Sequence, residues 1–152
     1  DDTIGLYSSS EARGFSPKDA GNFRLGGLYY DQQGNFGFSN QLSSSTSIRV
    51  GLSAQSYPFP APTGIADIQL RLPGDHTVVS FSSNYGPYGS SYDGQVDLDT
   101  PIIDKKLGLV IGVGAGQKEL DFHSVFNYLD FSGLLRWTPS DTTEIISFLQ
   151  VS

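Results

Sequence analysis

The sequence predicts a mainly β fold, whose second half is an antiparallel β-meander from a transmembrane β-barrel. Hydrophobicity alternates residue by residue between Lys105 and Trp137, on a background that is rich in glycine and free of cysteine. Alternate side chains of a strand point to opposite faces of its sheet. A strand with one apolar face and one nearly bare face suits a barrel wall, which meets lipid on one side and a crowded or wet interior on the other.

The segment 107–116 carries this pattern most clearly. One face consists of leucine, isoleucine, valine and alanine, and the opposite face is mostly glycine. In a barrel wall, the apolar face would point to lipid and the glycine face to the interior. We therefore predict a lipid-facing set and an interior set, which are Leu109, Ile111 and Val113 against Val110, Gly112 and Gly114.

Three neighbouring segments, 77–85, 92–99 and 129–137, repeat the alternation, although Leu134 breaks it in the last one. Runs of roughly 8–10 residues have the length of tilted transmembrane strands. Turn-forming residues separate the runs, and short connections favour antiparallel neighbours. We therefore predict that residues 76–152 form an antiparallel meander of five strands that pair in sequence order. Aromatic residues near the strand ends would form a membrane girdle: Tyr85, Tyr88, Tyr92 and Trp137.

Alternation by itself leaves a second fold open. A soluble β-sandwich also alternates, but its apolar face is turned inward. The alternative hypothesis is therefore a soluble β-sandwich that serves as a binding or structural module. Dependence on detergent separates the two hypotheses.

Residues 1–73 are punctuated by glycine and proline, and their strand-like pieces are short: 23–30, 47–52 and 65–72. Residues 37–46 are compatible with one weak helical turn or a loop. Because few windows permit a helix, we predict that less than about a fifth of the chain is helical. The sequence Leu-Pro-Gly-Asp at 72–75 is the natural joint, which divides the chain into domains 1–74 and 75–152.

Composition excludes several functional classes. The chain of 152 residues has a net charge of -7, and its nine lysines and arginines are scattered, so it offers no surface for nucleic acid. The charged fraction is 16%, below the roughly 25% of soluble proteins. No apolar run reaches the roughly 18 residues of a membrane helix. Without an initiating methionine or a secretory leader, the chain is expected to begin after processing or within a longer protein.

Several motifs in order resemble one known family. Arg13-Gly14-Phe15, followed by Arg-Leu-Gly-Gly-Leu-Tyr at 24–29, resembles the plug-domain signature of TonB-dependent outer-membrane receptors. Residues 48–51 are similar to the next plug strand, and residues 62–68 to the final one. Residues 137–142 resemble the periplasmic turn between early barrel strands. The resemblance spans nearly the whole chain and implies a partial plug, which is a small mixed sheet, followed by the first four or five barrel strands.

The resemblance implies a non-enzymatic function: energised uptake of a scarce ligand such as an iron-siderophore across the outer membrane of a Gram-negative bacterium. The implied partners are outer-membrane lipid, a small-molecule or metal-chelate ligand, and a TonB-type energy-coupling protein that contacts a segment not present here. No cofactor is expected. A complete receptor has about 22 barrel strands. We expect a receptor fragment or a truncated relative, because an open sheet leaves long unpaired edges.

The resemblance also implies site residues. Arg13 and Arg24 would lie at the plug–barrel contact, where a buried arginine needs a carboxylate partner; a solvated loop arginine is the alternative. Aromatic residues near loop signals would line the ligand surface, although core packing or interfacial anchoring explains them equally well. They are Tyr29, Tyr30, Phe36, Tyr57 and Phe59.

No catalytic or metal constellation emerges from the sequence. His76 and His123 are far apart and are expected at the surface of strand ends. Asp93, Asp97 and Asp99 share one strand face but lack the spacing of a calcium loop, so a hydrated interior face explains them better. The serine runs have no general base nearby. Residues 112–116 lack the lysine of a phosphate loop.

Overall fold

The computed structural model describes residues 16–17, 20–30, 38–57, 59–61, 64–86, 91–119 and 124–152. Within this part of the chain the fold is mainly β, as predicted, with nine strands and one four-residue 3-10 helix at Gly51–Ala54. No helix in the described ranges is long and apolar enough to cross a membrane. The chain divides into two compact units, Asp1–Leu70 and Arg71–Ser152.

The first unit is a four-stranded sheet in the order β2-β1-β4-β3. The parallel pairing of β1 with β4, beside antiparallel pairs, makes the small sheet mixed, as predicted. Phe23, Ala66 and Ile68 form its buried core, because alternate residues of β1 and β4 share a face. The strands are β1 (Phe23–Leu25), β2 (Leu28–Tyr29), β3 (Ser43–Arg49) and β4 (Ile65–Leu70).

Two local predictions for this unit are wrong. The segment 23–30 is a hairpin rather than one strand, because Gly26 and Gly27 adopt φ values of 57° and 82° that suit a two-residue turn. The predicted strand at 47–52 begins earlier, at Ser43, and ends at Arg49, before the 3-10 helix. Pairing with β4 holds the serine-rich start of β3 extended despite its weak strand propensity.

The second unit is a five-stranded meander in the order β5-β6-β7-β8-β9. Each neighbouring pair is antiparallel, which confirms the predicted order. The strands, which run to 16 residues in β8, extend beyond the alternating runs seen in the sequence. They are β5 (Val78–Tyr85), β6 (Tyr92–Ile103), β7 (Leu107–Glu119), β8 (Val125–Ser140) and β9 (Thr143–Val151).

The register of the meander places the alternate, mostly apolar residues of each strand on one side of the sheet. One row across the sheet runs Phe81, Val96, Val113, Phe131 and Val151. The adjacent row, on the opposite side, runs Ser80, Asp97, Gly112, Ser132 and Gln150. We call the side of Phe81 the apolar face and the side of Asp97 the polar face.

Burial on this sheet is inverted relative to a water-soluble sheet. On the polar face, Val110, Ser132 and Leu134 are fully buried, and Gly108, Gly112 and Gly114 of β7 are also buried. On the apolar face, Phe81 is 72% exposed and Leu129 is 66% exposed. A soluble sheet buries its apolar side and solvates the other, whereas in the central strands β7 and β8 the apolar side is the more exposed of the two.

Candidate functional site

The apolar face of the meander carries no charge over most of its height. Between the row of Trp137 and the row of Tyr92, no Asp, Glu, Lys or Arg of the described strands β5–β9 points to this face. The charged side chains within that height project from the polar face instead. They include Asp93, Asp97, Asp99, Asp130 and Arg136.

Aromatic residues mark both ends of this uncharged band. Trp137 lies opposite Leu107, and Tyr92 lies opposite Gln117, ten positions further along β7. Tyr85 pairs with Tyr92, and Tyr88 lies outside the described residues. Ten residues of strand span about 33 Å. In a strand tilted by about 40°, as the strands of outer-membrane barrels are, this span would correspond to about 25 Å, the height of the apolar band of such barrels.

In the first unit, Arg24 is 1% exposed and organises an aromatic cluster. Its Nη1 donates a hydrogen bond to the Phe23 carbonyl at 2.8 Å, and its Nη2 donates to the Phe59 carbonyl at 2.6 Å. Its Cζ lies 4.9 Å from the centroid of the Tyr29 ring, within the range of a cation–π interaction. The structure therefore buries Arg24 inside the first unit, whereas a role at the plug–barrel contact stays a prediction.

The bond from Arg24 explains an unusual backbone at Phe59. This residue has φ of 55°, in the left-handed region that bulky side chains rarely adopt. Its carbonyl is held inward by the guanidinium, while its ring is 76% exposed. The ring meets Tyr29 edge to face, with centroids 6.3 Å apart. Tyr29 and Phe59 thus form an exposed aromatic pair above a buried cation.

A buried carboxylate, Asp67, lies beside Arg24 in the register of β1 and β4. It accepts hydrogen bonds from the Gly27 backbone at 2.9 Å, the Tyr57 hydroxyl at 2.8 Å and the Gln69 amide at 2.9 Å. Three donors to a carboxylate offset much of the cost of burying its charge. The sequence reading missed Asp67, although an acid inside the apolar run Ile-Ala-Asp-Ile was a signal.

The structure separates the other predicted aromatic residues. Tyr57 turns its hydroxyl inward to Asp67, and its pKa is raised by burial first and then by the hydrogen bond and charge of that carboxylate. Tyr30 packs against the core and meets Phe38 edge to face at 6.1 Å, which favours the core-packing explanation. Arg13 and Phe36 lie outside the described residues.

The acidic row on β6 is divided among different partners. Asp93 accepts from the Asn84 amide at 2.8 Å, Asp97 pairs with Arg71 at 3.3 Å, and Asp99 accepts from the Gly74 backbone at 3.0 Å. In the described ranges, no group of three or more His, Cys, Asp or Glu side chains could hold a metal ion. His76 is exposed, and His123 lies outside those ranges.

No protein-family model and no curated protein matches the chain.

Proposed function

We propose that the chain is a fragment of a TonB-dependent outer-membrane receptor, in which the second unit is the start of the barrel wall and the first unit is the later part of the plug. The observation that carries this proposal is the uncharged, exposed apolar face, which extends along the strands from the row of Trp137 to the row of Tyr92. On the opposite side of the sheet, the central residues Val110, Ser132 and Leu134 are buried.

The exposed apolar face of the second unit suits a hydrocarbon solvent better than water. Soluble monomers rarely expose a continuous apolar patch larger than a few hundred Å². Here exposed apolar side chains continue across all five strands, from Val79 on β5 to Val151 on β9. Hydrocarbon removes the hydration penalty of such a surface, and it also favours the absence of charge from that face.

In this proposal, the exposed pair Tyr29 and Phe59 contributes to the ligand surface of the plug. The buried guanidinium of Arg24 supports that surface, because it fixes the Phe59 carbonyl and stacks on Tyr29. The transported molecule is a scarce ligand such as an iron-siderophore, and energy comes from a TonB-type protein through a segment not present here. The protein is a non-enzymatic transporter component of a Gram-negative outer membrane.

The single tryptophan permits a direct test, because Trp137 lies at one edge of the apolar face. The chain is refolded into phosphatidylcholine vesicles whose acyl chains carry bromine near the headgroup or near the bilayer centre. We expect strong quenching of Trp137 fluorescence by the shallow bromines and weaker quenching by the deep ones, as befits a girdle residue.

The same chain in plain buffer supplies the opposing arm of the test. Two results together would overturn the membrane proposal. In buffer, the chain would be a monodisperse monomer that melts cooperatively without detergent, and with the brominated vesicles its Trp137 fluorescence would be quenched by neither lipid. They would favour the soluble β-sandwich, in which a further layer covers the apolar face.

A further inference from the structure

The segment Arg71-Leu72-Pro73-Gly74, which we call the strap, lies on the polar face of the meander just before β5 begins. Its first residue is tied to β6, because Arg71 Nη1 lies 3.3 Å from Asp97 Oδ2. Its last residue is also tied to β6, because the Gly74 backbone donates to Asp99 Oδ1 at 3.0 Å. The strap is therefore attached at both ends to one strand.

Between these ties, Pro73 is buried against β7. A Cβ atom added to Gly108 would lie 2.5 Å from Pro73 Cγ, closer than real contacts permit. The proline ring thus occupies the space that any side chain at position 108 would need. This contact joins the strap to a second strand, and it requires glycine at that position.

The tie to Asp97 matters because that carboxylate is buried, with 8% of its side chain exposed. Its Oδ2 also accepts from the Gln95 amide at 2.7 Å, and its Oδ1 has no hydrogen-bond partner among the residues the structure describes. A buried carboxylate needs a counter-charge. Within the second unit, Arg71 supplies it.

The position of the ties suggests what the strap protects. β5 is an edge strand in the described sheet, and within its first three pairs Val78 lies opposite Asp99 and Ser80 lies opposite Asp97. A pull on the chain from its N-terminal side would otherwise act on Val78 and open the ladder one pair at a time. The strap is bonded to β6 at the same two acidic residues, Asp97 and Asp99. A pull from the N-terminal side therefore loads these two bonds before it reaches β5.

We propose that the strap is a strain relief, which transfers a pull on the chain to the central strands β6 and β7 and keeps it off the edge strand β5. The source of the pull, energised rearrangement of a plug, rests on the proposed function. The attachment of the strap and its mechanical effect do not.

Three isosteric variants of β6 test this inference in the full chain in detergent micelles. Asp97→Asn and Asp99→Asn weaken the two ties, and Asp93→Asn is the matched control, since this acid shares their strand and face but bonds Asn84 instead. Hydrogen exchange of the amides of residues 74–80 is measured. We expect exchange about tenfold faster in the double variant, and no change there in the control.

Optical-tweezer unfolding of the same proteins, pulled at the N-terminus, measures the mechanical effect. We expect the wild-type chain and Asp93→Asn to lose β5 together with the rest of the sheet. In the Asp97→Asn/Asp99→Asn variant, β5 should detach in an earlier step at lower force. Arg71→Lys, which keeps the charge, should behave more like the wild type than Arg71→Gln.

Two results would overturn the strain relief: amides 74–80 that exchange equally fast in the wild type and the double variant, or an identical unfolding trace for the two proteins. Both readouts are independent of uptake and of the ligand. A failure of the receptor proposal therefore leaves this test intact, and a failure of the strap leaves the receptor proposal intact.

Discussion

Arg24 donates hydrogen bonds to two backbone carbonyls, and one of them belongs to Phe59, whose backbone is left-handed. A non-glycine residue in this region costs about 1–2 kcal/mol. The clamp from the guanidinium offsets that strain and leaves the aromatic ring exposed. Arg24 thus contributes to the proposed ligand surface through the backbone of the loop that carries Phe59.

Replacing Arg24 with methionine should lower the free energy of unfolding of the first unit by about 2–4 kcal/mol, because two carbonyls lose a charged donor. Urea unfolding of the chain in micelles measures this loss. Phe59→Gly is the matched control, since it keeps the carbonyl, removes the strain and should be neutral or stabilising by up to about 1 kcal/mol. Equal losses in the two variants would contradict the clamp.

Tyr57 should titrate above the ordinary tyrosine pKa of about 10, because burial and then Asp67 disfavour its phenolate. The folded chain keeps this proton at pH values where the unfolded chain has released it, so the contribution to stability falls as pH rises through that range. The measurement is the difference in ultraviolet titration between wild type and Tyr57→Phe. Asp67→Asn should move the pKa of Tyr57 back down, and an unchanged value would argue against the carboxylate as a cause.

At the scale of the element, substitutions at two adjacent residues of β5 distinguish whether the apolar face contacts lipid or water. Phe81 points to the apolar face and Ser82 to the polar face, and both are exposed. In lipid, Phe81→Arg should cost about 2–4 kcal/mol and reduce assembly into vesicles, whereas Ser82→Arg should be tolerated. Protease protection after refolding into vesicles measures assembly, and equal assembly of the two variants would speak for water on both faces.

Two glycines of neighbouring strands provide a second pair. A Cβ atom on Gly116 would lie 2.7 Å from the Tyr92 carbonyl and 2.8 Å from the Tyr128 hydroxyl, whereas nothing lies within 4 Å at Gly94. Gly116→Ala should therefore destabilise the meander by about 1–3 kcal/mol. Gly94→Ala should be neutral or stabilising by about 0.5–1 kcal/mol. Denaturant unfolding in micelles checks the order of the two, and the reverse order would contradict the close approach at Gly116.

At the scale of the whole molecule, the charge and the apolar face oppose each other. A net charge of -7 keeps a protein of this size dispersed when its surface is polar. We expect the chain in dilute buffer to self-associate despite this charge, through the exposed face and the edges of the meander. Sedimentation velocity should show large species without detergent and a monomer in micelles. A monomer in buffer without detergent would contradict the expectation that the exposed apolar face causes the chain to associate.

The two units were predictable from the sequence to different depths. The long strands carry their own pattern, so the meander and its order follow from alternation and short connections. In the first unit, the start of β3 consists of serines with little strand propensity, and it is extended only because β4 pairs with it. Among the proposed site residues, Tyr29 and Phe59 meet as an exposed pair, whereas the inward turn of Tyr57 depends on Asp67, ten positions away.

By itself, the sequence determined which side chains share a face, because the period of a strand is two whatever surrounds it. It also determined the antiparallel order, because the connections are too short for a crossover. Only the tertiary structure decided which face is buried, where Arg24 directs its charge, and that Arg71 pairs with Asp97. Those outcomes depend on residues that are distant in the chain and adjacent in space, and a local periodicity carries no information about which of its two sides will be covered.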